Sequence, residues 1–147
     1  MRDMLNNTQM VHLGSVVLSG TTAATSDYVD IRDFSSATIV VVANTITDAG
    51  TASGFTATFQ ESADTAGASA GTVAATAAVN GTTTLTETSD SADNTVIGSF
   101  GYNGGERYLG ISAVGTTGTN ADLSVYAVLQ KPHRAPPTLV GTSVART

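Results

Sequence analysis

The chain has no cysteine and no tryptophan, few charges, and prolines only after residue 130. Without cysteine there is neither a disulfide nor a thiolate metal site. No apolar run reaches the roughly 18 residues that a spanning helix needs, so no membrane partner is expected. The opening "MRDMLNNTQM" carries charge but is not followed by an apolar stretch, and a secretory leader is not expected. Charged residues make up 12% of the chain, about half the usual share for a globular protein.

What is there instead is small. The hydrophobic fraction is 41% over 147 residues, but much of it is alanine, and Thr, Ala, Gly and Ser dominate. Threonine favours strands, and glycine and serine favour turns. The length suits one domain with one core. Together these features predict an all-β protein.

The net charge of −6 hides an asymmetry. From Ser15 to Gln130, eleven carboxylates face only Arg32 and Arg107, a balance of −9. Residues 131–147 hold Lys131, Arg134 and Arg146 and no acid, a balance of +3. An acidic body disfavours nucleic acid, whose binding rests on neutralising phosphates. A basic tail on such a body suits docking on an acidic protein surface.

Strand-like runs recur between turn signals. "SVVLS" (15–19) is one. "DYVDIRDF" (27–34) alternates imperfectly and reads as an edge strand. The β-branched run of "ATIVVVANTI" (37–46) predicts burial on both faces, or at least a central position. "GFTATFQES" (54–62) alternates cleanly, with Phe55, Ala57 and Phe59 inward. Residues 63–80 read as a loop with one strand near 71–79, and "TTTLTET" (82–88) as a strand. "TVIGSFGY" (95–102), the turn "NGG" and "ERYLGISAV" (106–114) predict a β-hairpin whose glycines supply positive φ. "ADLSVYAVLQ" (121–130) closes the series. Eight or nine short strands predict a single β-sandwich over 15–130, with a jelly roll as one of its forms. Residues 1–14 lack periodicity and 131–147 hold the prolines, so both ends are expected to be extended arms.

Catalytic signals are weak. The two histidines, His12 and His133, lie in the expected arms with no acid placed beside them. "IGSFG" lacks the spacing of a nucleophile elbow. "GYNGGE" matches no phosphate loop, because a strand rather than a helix follows it. Acidic "DSADN" (90–94) and "DYVDIRD" (27–33) offer the oxygens calcium prefers, yet acidic β loops are usually only solvated. No enzyme activity, metal or cofactor is expected. Tyr102, Arg107 and Tyr108 stand out as a packing or interface hairpin, with Arg107 covering apolar surface and pairing with an acid.

The order of Met1-Arg2-Asp3-Met4, "FQESAD" (59–64), "GYNGGERYLGI" (101–111) and "KPHRAP" (131–136) resembles a family of small proteins encoded beside the major capsid protein in tailed bacteriophages and prophages. The likeness spans nearly the whole chain. It departs at Leu109-Gly110-Ile111, where that family often carries a second arginine, and in the Ala/Gly-rich 63–80 tract. The resemblance implies a virion structural protein made in the bacterial host cytoplasm and placed on the capsid exterior, a head decoration or cement protein. Its implied partners are the major capsid protein and other copies of itself, with a trimer suited to threefold lattice positions. The implied capsid contacts are Arg2, Asp3, Met4 and Leu5 at one end and Lys131, Pro132, His133 and Arg134 at the other. A head–tail connector or fibre-base protein, and a glycan-binding adhesive sandwich, are the competing expectations.

Overall fold

The structure, a computed structural model, describes residues 7–50, 54–90 and 92–133. Among these residues ten strands form two antiparallel sheets. The first, sheet A, runs β1 (Thr8–Ser19), β10 (Asn120–Pro132), β4 (Phe34–Asp48), β8 (Thr95–Tyr102). The second, sheet B, centres on β9 (Tyr108–Gly115) and β5 (Phe55–Ser62). On its β9 side lie the two-residue strands β2 (Ala24–Thr25) and β3 (Val29–Asp30). On its β5 side lie β6 (Gly71–Thr72) and β7 (Thr84–Glu87). Counting β2 and β3 as one interrupted strand and setting β6 aside, the sheets read 1-8-3-6 and 2-7-4-5 in chain order. That double-sheet arrangement is a jelly roll.

Alternation builds the core. Leu123, Val125, Ala127 and Leu129 of β10 face Phe55, Ala57, Phe59, Leu109 and Ile111 of sheet B, all essentially inaccessible. Phe59 and Phe100 stack across the two layers at 5.0 Å, and Tyr102 meets Phe59 edge-on at 5.8 Å. Such ring pairs add about 0.5–1.5 kcal/mol beyond area burial.

Several expectations are corrected. The segment 95–114 is not a hairpin: β8 pairs with β4, and β9 pairs with β5 in the other sheet. Residues 103–107 therefore cross between layers. Neither Gly104 nor Gly105 has a positive φ, so the turn lacks the geometry of a two-residue hairpin. Gly104 is needed for another reason, since any Cβ there would collide with the Tyr102 ring.

The first fourteen residues are not an arm throughout. β1 begins at Thr8 and pairs with β10 along its length. Its periodicity is hidden by a bulge between His12 and Ser15, where Gly14 takes φ 86°. Gln9, Val11 and Leu13 turn inward before the bulge, Val16 and Leu18 after it. An extra residue switches which parity faces the core. Likewise, β10 carries Lys131 and Pro132, which were expected in the other arm.

The 27–34 edge strand shrinks to Val29–Asp30, and the strand expected near 71–79 to Gly71–Thr72, followed by a 3-10 turn at Val79–Gly81. β4 is central, as expected, but buried on one face only: Val40 and Val42 are half-exposed on the other.

Candidate interaction surface

The outward residues of sheet A form cross-strand rows. Met10, Val128 and Thr38 make one; His12, Tyr126, Val40 and Ser99 the next; Ser15, Ser124, Val42 and Val96 a third. Val17, Asp122 and Thr45 come next, with Ser19, Asn120 and Asp48 paired beyond them. The 3-10 turn adds Val79, whose side chain lies where a Cβ on Gly101 would point. Four of the five exposed large hydrophobics among the described residues sit here: Met10 (69% exposed), Val17 (66%), Val96 (60%) and Val79 (40%). The rows carry no lysine or arginine; their carboxylates are Asp122, whose Oδ1 is buried without a hydrogen-bond partner, and Asp48 in the last row. His12 lies against Tyr126 with ring centroids 4.9 Å apart.

The outward side of sheet B differs. Thr56 faces Thr86, and Thr58 sits between Thr84 and Ser112. Gln60 faces Thr72, and Tyr28 covers Gly110.

The carboxylates are drawn to the ends of the sandwich. At one end Asp90 accepts the Ala49 N–H at 2.5 Å and Asp93 the Ile46 N–H at 2.5 Å. These acids hold the end of β4, so one oxygen of each is engaged by the backbone. Ser91 of the 90–94 loop lies outside the described residues. Among the described residues no group of three His, Asp or Glu side chains is arranged to hold a metal.

The opposite end gathers most of the residues singled out in the sequence. Arg107 grips Asp30 through Nε, at 3.1 and 3.0 Å, and through a terminal nitrogen at 2.6 Å. Its guanidinium also lies 4.8 Å from the Tyr108 ring centre. Burial works to raise the Asp30 carboxyl. The hydrogen bonds from the Arg107 side chain and the Arg32 N–H, with both guanidinium charges, outweigh burial and hold it below the usual carboxylate value. The Arg107 pairing with an acid is thus present, but it tethers β3 to β9 and not one hairpin strand to another.

Tyr102 is the third member. Its hydroxyl donates to Glu61 at 2.5 Å and accepts the Glu106 N–H at 2.9 Å. Burial, then the hydrogen bond to Glu61, push its phenol well above the ordinary tyrosine range. It fixes the crossing loop.

Beside Arg107 opens a cleft of about 400 Å³ between β1 and the β3–β9 edge, lined by Gln9, Val11, Tyr28, Asp30, Tyr108 and Leu129 among others. Gln9 is only 6% exposed, and its Oε1 has no hydrogen-bond partner.

Both ends of the described chain meet here too. The Lys131 N–H donates to the Asn7 carbonyl at 3.0 Å, and the His133 N–H to the Asp33 carbonyl at 2.8 Å. Lys131 turns the chain with a left-handed φ of 52°. Lys131, Pro132 and His133 are therefore anchored to the body, while Arg2, Asp3, Met4, Leu5 and Arg134 lie outside the described residues.

Sequence reasoning missed the apolar outer face. The signal was present in the consecutive valines 40–42, since a strand with one buried face must show every second one. Comparison with protein-family models, with curated proteins and with solved structures found no match.

Proposed function

We propose that this protein is a non-enzymatic structural component of a tailed-phage virion, a decoration protein that sits on the capsid exterior and ties major capsid subunits together. The observation that carries the reading is the shared exit of the two chain ends. Asn7 and Lys131 are hydrogen-bonded neighbours at one end of a rigid sandwich. Residues 131–147 carry +3 with no acid. A body tethered by two segments from one point can span a seam between subunits. Repetition on a lattice adds avidity, which replaces a strong single site. The jelly roll occurs in capsid proteins and also in lectins, so the fold alone selects neither.

Cementing has a mechanical readout. Undecorated phage heads incubated with the full chain are expected to survive osmotic shock and heating that burst untreated heads. Heads that burst at the same temperature with and without bound protein would count against cementing. The glycan-binding alternative draws on the β1–β9 cleft with its unpartnered Gln9 amide oxygen and its Asp30–Arg107 pair. Binding on a glycan array, lost in Gln9→Leu, would favour it.

A further inference from the structure

We propose that the outer face of sheet A is a self-association surface whose occupant is the same face of a second copy. This does not depend on the virion reading.

The first argument is placement. Met10, Val17, Val79 and Val96 are well exposed on this one face, and Val40, Val42, Tyr126 and Val128 fill the space between them. Single exposed hydrophobics are ordinary, but a contiguous patch marks an interface. The patch covers four strands. With strands about 4.8 Å apart and rows spanning about seven or eight residues, the footprint is on the order of 500 Å² per copy. Two such faces together reach roughly 1,000 Å², the lower limit for a specific interface.

The second argument is charge, and it selects the partner. Each copy carries −6, so most approaches between two copies bring carboxylates together. This face brings few of them together: its rows hold no cation, and its carboxylates, Asp122 and Asp48, lie toward one end. A partner recognised through charge finds nothing to pair with in the middle of the face. A second copy presents a similarly twisted sheet with the same exposed Met10, Val17 and Val96, and aligned sheets pack face to face with side chains interdigitating. The outer face of sheet B offers fewer exposed apolar side chains and more hydroxyls to bury, at Thr56, Thr58, Thr84 and Thr86. Like therefore meets like, which is an isologous two-fold contact.

The test is the mass of the full chain by sedimentation equilibrium over a wide concentration range. The expected result is a dimer, weakened at least 100-fold by Val96→Lys and by Met10→Lys. Both sites are exposed, and a thermal melt of each variant checks that the fold is intact. Thr58→Lys on the other sheet is expected to leave the dimer unchanged. A monomer at all concentrations, a trimer, or a dimer indifferent to Val96→Lys with a normal melt would each overturn the proposal. So would a monomer whose Val96→Lys form loses only its binding to phage heads, because the face would then belong to the shell.

Discussion

The two sheets share one core yet are built on different terms. Sheet A uses long strands that continue through bulges: fifteen residues in β4, thirteen in β10 and twelve in β1. Ladder hydrogen bonds carry most of its length, with Asp90 and Asp93 holding the end of β4. Sheet B has edges of two-residue fragments, β2, β3 and β6. It is held by side chains instead. The Ser26 hydroxyl accepts the Ile111 N–H at 3.0 Å and donates to the Asp27 carbonyl at 2.9 Å. The Arg107–Asp30 pair closes the next step along that edge. Where backbone ladders carry a sheet, its outward side chains are available for a partner; where side chains must hold the edge, they are already committed.

Substitutions can separate these terms. The largest effect is expected in the layer that both sheets share. Phe100→Ala removes the ring stacked on Phe59 and is expected to cost about 3–5 kcal/mol in urea unfolding. Both sheets should melt together. Next is the edge of sheet B, where Ser26→Ala leaves the buried Ile111 N–H without its acceptor, a loss of about 2 kcal/mol. Hydrogen exchange should speed up in β2 and β9 and stay slow in β10.

Asp30→Asn should be milder, about 1 kcal/mol, because Arg107 is partly solvated and its pairing is screened. The effect carries a pH signature. The folded Asp30 carboxyl is held below its unfolded value, so its contribution is complete above about pH 4 and is lost as pH falls through the lowered folded value. The variant's stability should lack that component of the acid decline. Smallest in stability is the paired change Thr56→Val and Thr58→Val on sheet B, within about 0.5 kcal/mol of wild type. It should nevertheless give the molecule a second apolar face, visible as larger assemblies in light scattering.

The sequence made β5 legible because Phe55, Ala57 and Phe59 alternate without interruption, and the centrality of β4 followed from its β-branched run. β1 escaped because Gly14 inserts one residue and switches the inward parity, so no single alternation spans 8–19. The crossing at 103–107 was misread because glycines suggest a turn without saying whether the next strand joins the same sheet. Only the inward pull of Tyr102 toward Phe59 and Glu61, and of Leu109 and Ile111 into the other layer, decides it. Of the site residues, Arg107 was readable as a cation in need of an acid. Its partner Asp30 was not, since 77 positions separate them.

The account rests most heavily on binding to a shell. The direct measurement is the number of copies of the full chain retained per undecorated phage head after sedimentation, titrated to saturation. A plateau on the scale of the number of capsid subunits is the predicted result. A plateau at the few copies of a ring, or no retention at all, would contradict it.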